Sequence, residues 1–335
     1  MKYYLLLAAA FGVMAAPQEQ ARNYSTYSYD LNGNRVAVSS ATAQGGFQAQ
    51  TIKSINGRNV PVETVEETVI SQDSGGRVVE RIIRPHDANG RPGAPQKLRI
   101  EETNNADGTV NRSTSVYEAD LNGRFALRER ATTTVSKSGE VERAETRVEV
   151  PNINGSLEVS EMSVKVVMGD EKQSHTDVTV LRRDTNGSFT EAARQLIETK
   201  VHDSQTITTT AEYNAAVTGK MEFTGQRVAR SSKNPDGSEI QVVDVYGTVI
   251  PGRTMNANRS GPQLREQQVI EKRVGADNTV VETFSVRRAN LESGALGAAQ
   301  TISETVCSGA CLPPPPAPAA PEPPAPAAEP RQPPE

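Results

Sequence analysis

The chain has 335 residues, with 36 basic and 41 acidic side chains, a net charge of -5 and 36 % hydrophobic residues. A nearly balanced, mildly acidic chain lacks the basic excess that binds phosphates, so nucleic acid is not an expected partner. The 8 tyrosines, 6 phenylalanines and absence of tryptophan argue against an outer-membrane barrel, because the interfaces of such barrels carry aromatic girdles.

Residues 1–15 have the form of a secretory signal peptide. Lys2 precedes an uncharged run, 3–13, that is too short to cross a bilayer as a helix, and the small residue Ala15 offers a cleavage point. We therefore expect a mature chain that is exported to the periplasm or the extracellular space. We expect no integral membrane span in that mature chain.

A turn signature recurs through residues 16–311, which we predict to be one β-hairpin repeat domain. Glycine closes an Asn-Gly turn or its equivalent at positions 33, 57, 90, 123, 155, 187, 219 and 252, and most of these steps are 32 or 33 residues. Other turn signals, such as Asp107-Gly108 and Ser138-Gly139, lie about midway between them. This spacing predicts a two-strand unit of about 32 residues.

Between the turns, β-branched residues alternate with charged ones, which is typical of strands. We expect Phe125, Leu127 and Ala131 to share one face of their strand, and the slip in phase within 156–168 to mark a bulge. Residues 190–200 also have helical spacing, but their place in the repeat favours a strand. The predicted fold is all-β, an elongated antiparallel hairpin repeat that forms a meander of about 16 strands.

The best-formed turns share the motif Asp-x-Asn-Gly, in which the aspartate can accept hydrogen bonds from backbone amides and the glycine can take a left-handed conformation. The predicted structural turn residues are Asp30, Asn32 and Gly33; Asp87, Asn89 and Gly90; Asp120, Asn122 and Gly123; and Asp184, Asn186 and Gly187. Asp120 and Asn122 also resemble the first ligands of a calcium loop. The glycine comes too early for such a loop and no fixed distal glutamate follows, so the hairpin interpretation is preferred.

The segment Tyr27-Ser-Tyr-Asp-Leu-Asn-Gly-Asn-Arg-Val36 resembles the YD repeat of RHS-type secreted proteins, whose hairpins carry Tyr-x-Tyr-Asp-x-x-Gly-Asn/Arg-Arg. A degenerate second match runs from Val116 to Phe125. The resemblance implies hairpins and export. It is confined to these two turns, and the repeat here is longer, so the chain is not assigned to that family.

Cys307 and Cys311 are the only cysteines, and a close pair in an exported protein is most simply a local disulfide; an intermolecular bond or redox chemistry are the alternatives. Residues 312–335 hold 12 of the 21 prolines and are predicted to be a disordered Pro/Ala-rich tail. Such a tail could act as a spacer or as a docking strip for a partner that recognises proline.

Catalytic, cofactor-binding and metal-binding signatures are missing from the sequence. His86, His175 and His202 each lie near an aspartate, but no nucleophile elbow or clustered ligand motif accompanies them. We therefore predict a protein that is not an enzyme and has no cofactor. The hypothesis is an exported structural or protein-interaction module whose partner is a protein or another envelope component. The alternative is a carbohydrate-binding or carbohydrate-active protein on a β scaffold.

Overall fold

The computed structural model describes residues 22–29, 35–43, 46–55, 58–120, 122–184, 186–247, 261–275, 277, 279–290, 294–309 and 311. The predicted signal peptide, the proline-rich tail and the turn at Asp30, Asn32 and Gly33 lie outside these residues. The described strands are β1 (Arg22–Tyr29), β2 (Arg35–Ala43), β3 (Gly46–Ile55), β4 (Arg58–Asp73), β5 (Gly76–Pro85), β6 (Gln96–Asn104), β7 (Val110–Ala119), β8 (Phe125–Ser138), β9 (Val141–Pro151), β10 (Leu157–Gly169), β11 (Gln173–Arg183), β12 (Phe189–His202), β13 (Gln205–Ala215), β14 (Met221–Lys233), β15 (Glu239–Gly247), β16 (Gln263–Val274), β17 (Val280–Arg288) and β18 (Gln300–Gly309).

These 18 strands form one sheet in which each strand pairs antiparallel with its neighbours in sequence. β1 also pairs with β18, from Arg22↔Gly309 to Ser28↔Ser303, so the sheet closes into a barrel. Closure removes the two free edges that an open sheet would expose. The predicted all-β antiparallel meander is confirmed, whereas the elongated sheet of about 16 strands is replaced by a closed barrel of 18.

Bulges recur in the even-numbered strands, with the exception of β6. The register shows extra residues at Val38, Val62, Ile70, Arg128, Ser160, Ala192, Thr224, Arg265 and Ile302, that is, two in β4 and one each in β2, β8, β10, β12, β14, β16 and β18. The bulge at Ser160 confirms the one predicted within 156–168. Because a bulge bends its strand and increases the local twist, this repetition favours a sheet that curves onto itself.

The barrel wall has two faces, because side chains alternate along each strand and cross-strand partners share a face. We call the face that carries Glu101 and Asp244 face one, and the face that carries Glu102 face two. The bulge at Arg128 places Phe125 and Leu127 on face one, paired with β7. Ala131 lies on face two, so the predicted grouping of these three residues was wrong.

Residues 190–200 belong to β12, as predicted. The apolar residues of the helix-like spacing are divided between the two faces of this strand, with Ala193 and Ile197 on face two and Leu196 on face one. A short apolar run that serves both faces of a strand can thus mimic helical spacing over a short window.

Little of the wall is buried. The buried apolar side chains, Val79, Leu98, Val280, Val286 and Cys307, all lie on face two, and none of the described side chains is completely buried. A barrel of this strand number is too wide for its own side chains to fill and leaves an aqueous channel. The interior is therefore a lumen rather than a packed core.

Closure predicts that an introduced disulfide will join β1 to β18. Ser28 and Ser303 are cross-strand partners, so the Ser28→Cys/Ser303→Cys double variant should oxidise to an intramolecular bond, because partners in adjacent strands lie within disulfide reach. The readout is loss of free thiols together with a mobility shift on non-reducing electrophoresis. In the matched control, Ser28→Cys/Ser285→Cys, the second cysteine is one strand further away in β17 and should remain reduced. Free thiols in the first variant would contradict closure.

Candidate functional site: the lumen, the wall and the two rims

The two ends of the barrel differ in their connections. Arg22 of β1 pairs with Gly309 of β18, so both chain ends lie at the same rim, which we call the terminal rim. Its connections are short, as between Asp73 and Gly76 or between His202 and Gln205. The opposite rim, the far rim, carries the longer connections, between β15 and β16 and between β17 and β18.

The Asp-x-Asn-Gly turns lie at the far rim. Oδ1 of Asp120 accepts the backbone N–H of Asn122 and of Arg124, each at 2.8 Å. Asp87 accepts the N–H of Asn89 and Arg91, and Asp184 that of Asn186 and Ser188, in the same way. Gly90, Gly123 and Gly187 have φ of 78°, 75° and 84°. One aspartate oxygen therefore orders the backbone of each turn while the glycine takes a conformation that other residues resist.

Aspartates also accept hydrogen bonds from the turns of the terminal rim. Oδ1 of Asp170 accepts the N–H of Lys172 and of Gln173, each at 2.8 Å. These bonds, the one from Gln173 first, hold the pKa of the Asp170 carboxyl below its ordinary value. The pKa values of Asp107, Asp236 and Asp277 are lowered mainly by the hydroxyl two residues further on, from Thr109, Ser238 and Thr279.

Charged side chains lie on both faces of the wall. On face one, Arg194 donates to both oxygens of Asp177, at 3.1 Å and 2.5 Å. On face two, Arg112 donates to Oε2 of Glu102 at 2.6 Å. The lumen is therefore lined with hydrogen-bonding and ionic side chains whichever face turns inward.

Asp244 is the most enclosed acidic group of the wall. It is 7 % exposed, and its two carboxylate oxygens accept from Nη1 of Arg230 at 2.6 Å and from Nε2 of Gln267 at 2.9 Å. The trio joins β14, β15 and β16 on face one. Because both oxygens have partners, the cost of desolvating the carboxylate is offset and the three strands are fixed in register.

The outer surface of the wall is not a continuous apolar band on either face. Face one of β9 carries Arg143, Glu145, Arg147 and Glu149, and face two of β4 carries Glu63 and Glu67. Arginine or lysine on the lipid face of a transmembrane barrel costs about 2–4 kcal/mol at mid-membrane. Ion pairing within the face reduces this cost without removing it.

The seam between β18, β1 and β2 is joined by a small polar cluster on both faces. On face one, Glu304 accepts from Nη2 of Arg35 at 2.5 Å and from the Tyr29 hydroxyl at 3.3 Å. The Arg35 guanidinium also lies 3.6 Å from the centre of the Tyr27 ring. On face two, the hydroxyls of Thr26 and Thr305 are 3.0 Å apart. These contacts join the first and last strands.

The remaining sequence candidates lie apart from one another. Cys307 and Cys311 are disulfide-bonded at the terminal rim, with Cα atoms 6.0 Å apart. His175 and His202 lie near that rim on β11 and β12, whereas His86 follows β5 at the far rim. Within the part of the chain that the structure describes, no group of three or more His, Cys, Asp or Glu residues could hold a metal ion. No helix long and apolar enough to cross a membrane occurs among the described residues.

No protein-family model matches the chain, and no curated protein matches it. Among solved structures, it is similar to OmpF of Salmonella typhi in complex with daunomycin, with 9 % identity, a TM-score of 0.46 and coverage of 86 % of this chain and 96 % of that one. It is also similar to OpdQ of Pseudomonas aeruginosa, with 11 % identity, a TM-score of 0.44 and coverage of 86 % and 95 %.

The function hypothesis drawn from the sequence, a structural or protein-interaction module on an elongated sheet, was wrong. It assumed an open sheet that presents ladders of Glu, Thr and Arg. The sheet instead closes through β1 and β18 around a lumen, so it has no open edge or extended ladder to present.

The left-handed conformation of the far-rim turn glycines predicts that substituting one of them lowers the free energy of unfolding. Gly155 has φ of 78° and an added Cβ would meet nothing within 4 Å, so Gly155→Ala changes only the backbone preference. We expect a loss of about 1 kcal/mol in the free energy of unfolding, measured by urea denaturation. Gly155→Asn should lose less, because asparagine tolerates a left-handed conformation. Equal losses for the two variants would contradict this account.

The lowered pKa of Asp170 predicts a pH-dependent contribution to stability. Because the folded pKa is below the unfolded value of about 3.9, the contribution is present above that value and is lost as the pH falls through the folded pKa. Asp170→Ala should therefore lower the urea midpoint at neutral pH, and its difference from wild type should shrink in acid. Asp170→Asn keeps an acceptor oxygen and serves as control, with a smaller loss at neutral pH. A constant difference between wild type and Asp170→Ala across this range would overturn the assignment.

Proposed function

We propose that this chain is an exported, channel-forming barrel of the cell envelope that admits ions and small hydrophilic solutes to a water-filled lumen. One observation carries the proposal: an 18-stranded sheet closes on itself through β1 and β18 and has no completely buried side chain among its described residues. Such a barrel is wide enough for an aqueous channel. Its action needs no catalytic group, so the proposed protein is not an enzyme.

The distribution of polar groups supports passage of charged solutes. On both faces arginine is paired with a carboxylate, as in Arg194 with Asp177 and Arg112 with Glu102. Paired charges give a lumen that is polar but nearly balanced, which favours broad admission of hydrophilic solutes over strong selection by sign. The predicted signal peptide and the disulfide-bonded cysteines support the export step of the proposal.

The charges on both faces also favour a second candidate, in which the same hollow barrel works in the aqueous part of the envelope. The wall then needs no lipid-facing band, and Arg143, Glu145, Arg147 and Glu149 of β9 remain hydrated at no cost. The barrel would be a container or conduit for polar solutes rather than a transmembrane pore. The two candidates differ in one measurable property, conductance across a bilayer.

Conductance of purified mature protein in a planar bilayer tests the proposal. A pore should give discrete conductance steps, and its selectivity should depend on residues of the lumen face alone. Glu101 and Glu102 are adjacent in β6 and lie on opposite faces, each paired with an arginine, Arg99 and Arg112.

We expect only one of Glu101→Gln and Glu102→Gln to shift the reversal potential in a salt gradient, towards anions, because the released arginine faces the lumen in only one of them. Each variant is the matched control for the other. Absence of conductance would reject the transmembrane pore and leave the aqueous barrel. Equal shifts in both variants would show that the conducting path is not the lumen.

A further inference from the structure

The few aromatic residues of the strands are concentrated at one end of one face. Eight of them lie on face one, each within two residues of the point where its strand meets the far rim; they are Tyr27, Tyr29, Tyr117, Phe125, Phe189, Tyr213, Phe223 and Tyr246. At about 3.3 Å per residue, they occupy a zone about 7 Å deep along the strands. The other described aromatic residues, Tyr24, Phe47 and Phe284, lie on face two. We call the eight residues the aromatic belt.

The belt is bordered by cations that contact its rings. The Lys97 ammonium lies 5.3 Å from the centres of both the Tyr117 and the Phe125 rings. The Tyr213 and Phe223 rings pack edge to face at 5.7 Å. Aromatic rings suit the boundary between water and lipid, where one end of the side chain is apolar and the other is wet. The Lys97 ammonium is also ion-paired with Glu80, from Nζ to Oε2 at 3.3 Å.

The turns of the far rim, which lie beyond the aromatic belt, also carry exposed apolar and cationic side chains. Ile153 and Val217 stand at the second position of their turns and are completely exposed. The cations Arg91, Arg124 and Lys220 directly follow the turn glycines, are exposed, and form no ion pair with another described residue. The turns of the terminal rim include the exposed acidic residues Glu140, Glu171 and Asp203, together with the exposed Lys172. Apolar side chains near that rim, such as Ile70 and Met168, are 58 % and 44 % exposed, less than the two apolar tips of the far rim.

We propose that face one is the outer face of the barrel and that the far rim docks end-on into the interfacial layer of an anionic lipid membrane, immersed to the depth of the aromatic belt. The apolar tips stand on separate turns around a ring and form no contiguous patch, which a fluid lipid surface accommodates better than the flat face of a folded protein. The unpaired arginine and lysine side chains lie beside anionic headgroups in this arrangement.

Ion pairs near the other end of face one limit the depth of immersion. Arg143 with Glu145, Lys200 with Glu198 and Arg273 with Glu271 lie in the halves of β9, β12 and β16 next to the terminal rim. These groups remain in water when the barrel stands on its far rim. A barrel held at this depth does not span the bilayer, so the docking belongs with the second candidate, the barrel of the aqueous part of the envelope, and is tested separately from conductance.

A tryptophan reporter gives the orientation directly, because the chain contains no tryptophan. With mature protein and phosphatidylcholine/phosphatidylglycerol vesicles, Ile153→Trp should show a blue-shifted emission and quenching by brominated acyl chains. Glu171→Trp, at the terminal rim, should show neither change. Quenching of both reporters to the same extent, or of neither, would overturn the far-rim orientation, the latter outcome pointing to a protein partner instead.

Vesicle flotation tests the contribution of the tips and of charge. Ile153→Ser/Val217→Ser should weaken binding about tenfold, because two apolar side chains are lost from the interface. The matched terminal-rim variant, Glu140→Ser/Glu171→Ser, should bind as the wild type does. Replacing the mixed vesicles by pure phosphatidylcholine should also weaken binding. Unchanged binding of the Ile153→Ser/Val217→Ser variant would reject the proposal even if conductance is observed, and binding without conductance would retain it while rejecting the pore.

Discussion

The pairing of the first strand with the last is the constraint on which the rest of the molecule depends. A meander of 18 strands that stayed open would expose two unsatisfied backbone edges, and with so few buried apolar side chains it could not cover them by packing. Closure satisfies both edges at once, through β1 and β18. It also divides the wall into an inside and an outside, which gives the alternation of side chains a functional meaning that it lacks in an open sheet.

Register is held by polar contacts where a globular domain would use a core. Asp244 between Arg230 and Gln267 and the Glu304 cluster at the seam each connect three strands. A strand that slipped by one residue would move every such group to the other face and leave charges without partners. The thin apolar content of the sequence is therefore compatible with a well-specified structure, because the specification lies in cross-strand hydrogen bonds and ion pairs.

The sequence predicted the strands well and their closure not at all. Turn glycines and alternation are local signals, so the hairpins, the Ser160 bulge and the strand at 190–200 follow from neighbouring residues alone. The strand count fell short because the step from Gly33 to Gly57 is 24 residues and conceals the hairpin between β2 and β3, whose connection follows Ala43. Closure depends on Arg22 meeting Gly309, a contact between the two ends of the domain for which no local pattern exists.

The low aromatic count argued against an outer-membrane barrel, but such a count treats all positions as equivalent and does not show where the aromatic residues lie. Once the registers assign residues to faces, most of the described aromatic side chains fall on face one at the far rim, next to Lys97 and the exposed cations. A wall with charges on both faces has no height at which a bilayer can be placed without cost, whereas its far rim offers rings, apolar tips and cations within one narrow zone. The proposed membrane contact at one end of the barrel therefore rests on the positions of a few residues along the strands, which the average composition of the chain does not show.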